Sequence, residues 1–167
     1  MTDQRGGAAP ELAAAVRGMP ERGTWDRIFT LYSVDDDGFP HPCLLSRAAI
    51  DADARTFRVA VASSSRTVGY LRRRPRALLV FIGGETSYSC AAEVSAIRET
   101  GQGLTGIAMA ITGVHRDSLG IPLRPASFWV SDAVPVAEAW DRSAALLAAM
   151  AAAAPGTGGG EAAGPAQ

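Results

Sequence analysis

The sequence predicts a mainly β chain: six antiparallel strands forming a barrel or a sandwich, with short helices on the flanks. Three observations carry this. Six short runs rich in Val, Ile, Phe, Tyr and Thr recur between residues 28 and 117. Turn-forming stretches separate them, "DDDG" at 35–38 and "TGQG" at 100–103 among them, the pattern of short strands joined at regular spacing. Helical spacing of apolar residues is confined to three segments outside or between those runs.

Taken in order, "PELAAAVRG" (10–18) is a short helix. Pro10 suits its first turn and Gly18 its stop, and Leu12 and Val16 share one face. "IFTLYSV" (28–34) and "FPHPCLLS" (39–46) flank the "DDDG" turn as a hairpin. Pro40 and Pro42 cannot donate to a ladder, so the second strand belongs at a sheet edge. "TFRVAVA" (56–62) is the third strand. "RALLVFIG" (76–83) is the fourth, apolar enough to be buried on both faces. "TSYSCAAEVSAIRE" (86–99) and "LTGIAMAITGVHRD" (104–117) are the fifth and sixth. Between the third and fourth, "SSSRTVGYLRRRP" (63–75) predicts a helix from Arg66 to Arg73, capped by Ser65 and closed by Pro75, with Val68 and Leu71 as its apolar pair. Late in the chain "VPVAEAWDRSAALLAAM" (134–150) is one helix whose Val136, Trp140 and Leu147 share a face.

The length of 167 residues fits one domain. Residues 1–9 and the Ala/Gly tail 154–167 hold too few large apolar groups to offset ordering entropy and are expected to be disordered, leaving a domain over 10–153. No run of about 18 apolar residues and no signal-like N-terminus is visible, so no membrane partner and a cytoplasmic location are expected. Cys43 and Cys90 lack a C-x-x-C spacing and are expected to be reduced, buried thiols.

Composition also excludes function classes. The 16 basic residues are all arginine and are balanced by 17 acidic ones, for a net charge of −1; a nucleic-acid binder shows a basic surplus. With no lysine in the chain, Schiff-base chemistry is unavailable. Only two histidines exist, His41 and His115, so there is no three-histidine zinc site, and both are expected to be structural. An EF-hand loop aligned on Gly38 would need acidic residues where Ser33 and Leu44 stand, so no metal is expected there and the three aspartates should be solvated.

Five arginines crowd residues 66–76. Arg72, Arg73 and Arg74 are consecutive, and at about 100° per helical residue they splay away from any common target. Solvation is the expected role. Arg66 differs, because it opens a helix beside Ser63, Ser64 and Ser65. Outward-pointing N–H groups, hydroxyls and a guanidinium suit one phosphate.

The order hairpin, "DDDGFPH", strand, "SSSRTVGYLRRRPRALLVFI" and long strand "YSCAAEV" resembles the pyridoxamine 5'-phosphate oxidase-like family of flavin-binding split barrels, over about residues 24 to 100. The family's Ser-Arg-Lys triplet, which contacts the FMN phosphate, corresponds to Ser65, Arg66 and Thr67. Its Arg-x-Val-Leu-Leu-Lys segment corresponds to "HPCLLS", His41 to Ser46. The resemblance implies a six-stranded split barrel, a homodimer and an FMN-dependent oxidoreductase acting on a small molecule. Its implied cofactor contacts are His41, Cys43, Leu44, Leu45, Ser46, Ala60, Val61, Ser63, Ser65, Arg66 and Thr67. Tyr32, Tyr88 and Trp129 are candidate neighbours of the ring or substrate. Ser46 and Thr67 stand where the family has lysines, and the oxidase's C-terminal substrate residues have no counterpart, which points away from pyridoxamine phosphate oxidation. The same resemblance leaves a deazaflavin-dependent reductase, a haem-binding barrel using His41 or His115, and a non-catalytic flavin-binding module as alternatives. No catalytic residue is assigned.

Overall fold

The computed structural model describes residues 8–154; the disorder expected for 1–7 and 155–167 lies outside the described residues. The elements are α1 (Pro10–Ala15), β1 (Trp25–Arg27), β2 (Phe29–Val34), β3 (Pro40–Leu45), a 3-10 turn (Arg47–Ala49), β4 (Ile50–Ala52), β5 (Thr56–Ala62), α2 (Arg66–Arg73), β6 (Arg76–Gly83), β7 (Thr86–Glu99), β8 (Leu104–Ser118), β9 (Ser127–Trp129), α3 (Val134–Ala137) and α4 (Trp140–Ala153). The packed chain reaches Ala9, which is buried and donates its N–H to the Ala54 carbonyl. Among the described residues no helix is long and apolar enough to cross a membrane.

Each of the six predicted strands forms, and the sheet gains a seventh. Its order is β3-β2-β6-β7-β8-β5-β4, antiparallel throughout. The added strand β4 is three residues long, too short to show a period. A separate two-stranded ribbon pairs β1 with β9. The alternation in the sequence becomes the inner face: Phe29 and Leu31, Phe57 and Val59, Leu79 and Phe81, and Ile107 and Met109 are buried together. Leu12 and Val16 of the α1 segment join this core, and so do Val68 and Leu71 of α2. Breaks in register between Ala91 and Ala92 and between Val94 and Ala96 bend the long β7–β8 hairpin. Gly38, with φ +89, turns the β2–β3 hairpin.

Two expectations about burial are corrected. β6 is not covered on both faces: Leu79 and Phe81 are buried, but Leu78 is 38% exposed and Val80 half-buried. The reason is where the helices pack. α4 lies on β5 and β8, not on β6. The late helix is also not continuous. It breaks at Ala139, which adopts φ 50, ψ 51, so α3 and α4 point differently and Val136 is left 83% exposed while Trp140 and Leu147 are buried.

Charged pairs fasten the periphery. Arg58, nearly buried, donates to Asp51 and Asp53 at 2.7 Å each, tying β5 to β4 and its following turn. Arg116 on β8 grips Glu11 on α1 with two hydrogen bonds of 3.1 and 3.0 Å. The Arg116 guanidinium holds the Glu11 carboxyl below its ordinary value of 4.5.

A carboxylate with a lowered pKa stabilises the fold above its unfolded value, and that contribution fades as pH falls through the lowered one. For this partly exposed pair it should be about 0.5–1 kcal/mol. Glu11→Gln is therefore expected to melt about 1–4 °C lower at neutral pH, with the two curves converging below the carboxylate range in a thermal scan series against pH. α4 gives a second test. A Cβ built on Gly106 of β8 would lie 2.2 Å from Met150 Sδ and 3.2 Å from both Leu146 methyls. Gly106→Ala should cost about 1–2 kcal/mol in urea unfolding by overpacking; no change would show that α4 sits loosely.

Candidate functional site

The two edge strands of the sheet, β3 and β4, are consecutive in the chain, and residues Ser46–Ala49 bridge them. Beside that bridge lies an open cleft of about 430 Å³. Cys43, Leu44 and Leu45 of β3, Ala49 of the bridge, and Ala60, Val61 and Ala62 of β5 form its walls. Ser65 comes from the mouth of α2, Leu104 from β8, and Glu138 and Ala139 from the α3–α4 turn. The volume suits a small ligand or cofactor fragment.

At one wall α2 begins. Ser65 Oγ accepts from the Thr67 N–H at 3.3 Å, the predicted cap. The N–H groups of Ser64 and Arg66 find no acceptor among the described residues. Arg66 is exposed and forms no ion pair with them. Thr67 is fully buried, with its hydroxyl against the Cys43 thiol. The free N–H donors and the exposed guanidinium at the start of α2 are groups that suit an anion.

The other wall is held by a compact polar network. Glu138 Oε2 accepts from Ser46 Oγ at 2.7 Å and from Trp140 Nε1 at 2.8 Å. Ser143 Oγ donates to the Glu138 carbonyl at 3.2 Å, and the Ser143 N–H donates to the Ala139 carbonyl at 2.9 Å. These contacts fix the left-handed Ala139, a conformation that costs an alanine roughly 1–2 kcal/mol.

Of the residues implied by the resemblance, Cys43, Leu44, Leu45, Ala60, Val61 and Ser65 line the cleft together. Arg66 and Thr67 follow Ser65 in α2 but do not line the cleft: Arg66 is exposed and Thr67 is buried. His41 is turned away and packs edge-on against Tyr70 at 5.1 Å. Ser46 is committed to Glu138, and Ser63 Oγ shares a 2.9 Å hydrogen bond with Thr105 Oγ1. None of the three proposed aromatic neighbours lines the cleft: Tyr32 faces a different hollow, Tyr88 stacks on Phe81 at 4.7 Å, and Trp129 meets Trp25 at 5.8 Å. His115 pairs with Asp117 at 3.0 Å. Both thiols are free. Burial pushes the Cys43 thiol up, opposed by the Thr67 hydroxyl, and pushes Cys90 up to about 11, so neither is a ready nucleophile.

The arginine run is not simply solvated. Arg72 bonds Glu99, Arg73 bonds Asp36 at 2.8 Å, and Arg74 bonds the Asp35 carbonyl. Asp35 Oδ1 itself accepts from the N–H groups of Asp37 and Phe39. Arg72 turns to the end of β7, whereas Arg73 and Arg74 both reach the β2–β3 turn, so the three side chains divide between two targets.

By sequence, no family profile and no curated protein matches the chain. Solved structures do. A conserved hypothetical protein of Mycobacterium tuberculosis aligns at TM-score 0.52 with 16% identity, over 75% of this chain and 97% of that one. Nitrilotriacetate monooxygenase component B of Mycobacterium thermoresistibile aligns at 0.52 with 10% identity, over 66% and 79%. A candidate pyridoxamine 5'-phosphate oxidase of Lactobacillus delbrueckii aligns at 0.51 with 12% identity, over 69% and 99%. The fold is the split barrel of the pyridoxamine 5'-phosphate oxidase-like proteins. At these identities the likeness establishes the fold alone. Sequence reasoning missed Glu138, Ala139 and Leu104 as cleft residues, because nothing in a helix-like or strand-like stretch signals that it will meet β3.

Proposed function

We propose that the chain binds FMN in this cleft and acts as a small flavin-dependent oxidoreductase. The observation that carries this is the meeting of Cys43–Leu45, Ala60–Val61 and Ser65 on one cleft, with Ser65 the cap of α2. In this reading Arg66 and the Ser64 and Arg66 N–H groups hold the phosphate. Leu44, Leu45, Val61 and Leu104 give the ring apolar walls. When bound, the flavin ring supplies the two-electron chemistry, and the protein supplies position and shelter from water. Neither His41 nor His115 lines the cleft, which favours a flavin over an axially ligated haem there. A phosphorylated deazaflavin would fit the same cradle, and the absorption spectrum of the loaded protein separates the two.

The reading extends to a homodimer. Leu44 is 66% exposed on the edge strand. Next to it, Tyr32, Val34, Pro40 and Leu78 surround an apolar hollow of about 410 Å³ on the outer face of the sheet. A second copy seated there would bury β6's outer face and roof the cleft. Light scattering at micromolar concentration should give twice the chain mass, and a monomer with flavin bound would refute it.

The cradle is tested by titration. Arg66→Ala removes a charge-assisted contact of roughly 1.5–3 kcal/mol, so FMN affinity should fall about ten- to a hundred-fold. Riboflavin, which has no phosphate, should bind wild type and variant alike. Arg73→Ala should leave both affinities near wild type, since Arg73 is spent on Asp36. Equal FMN affinity in wild type and Arg66→Ala would overturn the phosphate assignment.

A further inference from the structure

We infer that Glu138 is a specificity-determining residue of the cleft, accepting a hydrogen bond from an N–H donor on the edge of the bound ring. This rests on the flavin reading above, in which the imide N–H of the ring is the available donor. Only one of its carboxylate oxygens is used inside the chain. Oε2 takes both Ser46 Oγ and Trp140 Nε1, and Oε1 has no hydrogen-bond partner among the described residues. A carboxylate can accept about four hydrogen bonds, so capacity remains on a side chain that lines the cleft.

Its position is also enforced. Ala139 is the one described residue other than glycine with positive φ. That strained conformation breaks what would be a continuous helix and turns Glu138 toward β3, and two hydrogen bonds from Ser143 hold it. Strain maintained beside a ligand cleft is a mark of a constrained site.

The surroundings set the consequence. Glu138 stands among Leu45, Ala49, Ala60 and Leu104; Arg142 also lines the cleft but donates to the Gln102 carbonyl and forms no ion pair with Glu138. A ligand that covers it removes water from a charged group, which is unfavourable unless a donor replaces that water. Ligands with a donor at this edge are kept and those without are rejected, because the carboxylate would be left unsatisfied. With the phosphate at the start of α2 and the donor edge at Glu138, the ligand has one orientation.

The test compares FMN with FMN methylated at the imide nitrogen, titrated by fluorescence into wild type, Glu138→Gln and Glu138→Ala, with melting curves for each. Wild type should prefer FMN about tenfold or more. Glu138→Ala should reduce that preference to about twofold or less, with the methylated ligand bound no worse than by wild type. Should the alanine variant not fold, Glu138→Gln carries the test, since its amide oxygen can still accept from Ser46 and Trp140. It should lose about three- to tenfold in FMN affinity with no loss for the methylated ligand. An unchanged methylation penalty in the variants would overturn the inference and leave Glu138 as a pin for the α3–α4 turn. If wild type binds no FMN, the flavin reading itself fails, and this inference with it.

Discussion

The fold hangs on a short bridge. Four residues, Ser46 to Ala49, connect the last residue of β3 to the first of β4, and these strands are the opposite edges of a seven-stranded sheet. Five Cα steps reach at most roughly 17 Å. Laid flat, seven strands would put their edges about 29 Å apart. The sheet must therefore curl until its edges almost meet. The closure is incomplete, and the remaining gap is bordered by residues of the candidate cleft. Three residues of the bridge then each gather a distant segment. Ser46 holds Glu138. Arg47 grips Asp26 on β1 with its Nε at 3.0 Å from both carboxylate oxygens and donates to the Arg17 carbonyl after α1. Ala48 packs with Val130 and Trp140. Substituting the bridge would loosen the ribbon, the α1 segment and the α3–α4 turn together.

Electrostatics in this protein is mostly tying, not display. A chain with no lysine has only the planar, forked guanidinium as a strong side-chain cation, and that group suits fixed pairing better than a mobile ammonium does. Arg47, Arg58, Arg72, Arg73, Arg76 and Arg116 all meet carboxylates. Arg66 is among the described arginines that meet no carboxylate, and it is set apart by its place at the N-terminus of α2 beside the free Ser64 and Arg66 N–H groups. The two ends of α2 thus do different work: its C-terminal arginines fix the β2–β3 turn and β7, and its N-terminus stays available.

The strands were legible because burial on one face imprints a period of two, clearest in β2; β5 is buried along most of its length because α4 covers its other face. α2 was legible for a different reason: Ser65 and Pro75 bracket it chemically, and its observed span from Arg66 to Arg73 is the predicted one. What stayed hidden was set by tertiary contact. The break at Ala139 carries no glycine, proline or asparagine to announce it, since it is imposed by what Glu138 and Trp140 bind. β6 was misjudged because an apolar run does not say what covers it; one face meets the core and the other has no helix above it. Leu44 to Leu45 and Ala60 to Val61 could be named only through resemblance, because ordinary apolar strand residues have no chemical signature of ligand contact. His41 and Ser63 were named the same way and prove to have partners inside the chain.

The arrangement also explains why a cleft persists in so small a chain. Filling it would require a large side chain on the bridge or at the end of β5, but these positions hold Ala49, Ala60 and Ala62. Small residues there gain little from burial, so nothing drives the edges to close over them. The tight packing is placed elsewhere, where α4 meets Gly106 with no room for a methyl group. α4 thus packs closely on β8, and the turn before it presents Glu138 to the gap. Glu138 is already held there by Ser46 and Trp140, so that binding need not order it. Ser65 at the start of α2 and the carboxylate on the α3–α4 turn belong to different parts of one barrel, and the bridge that curls the sheet is what brings those parts to the same opening.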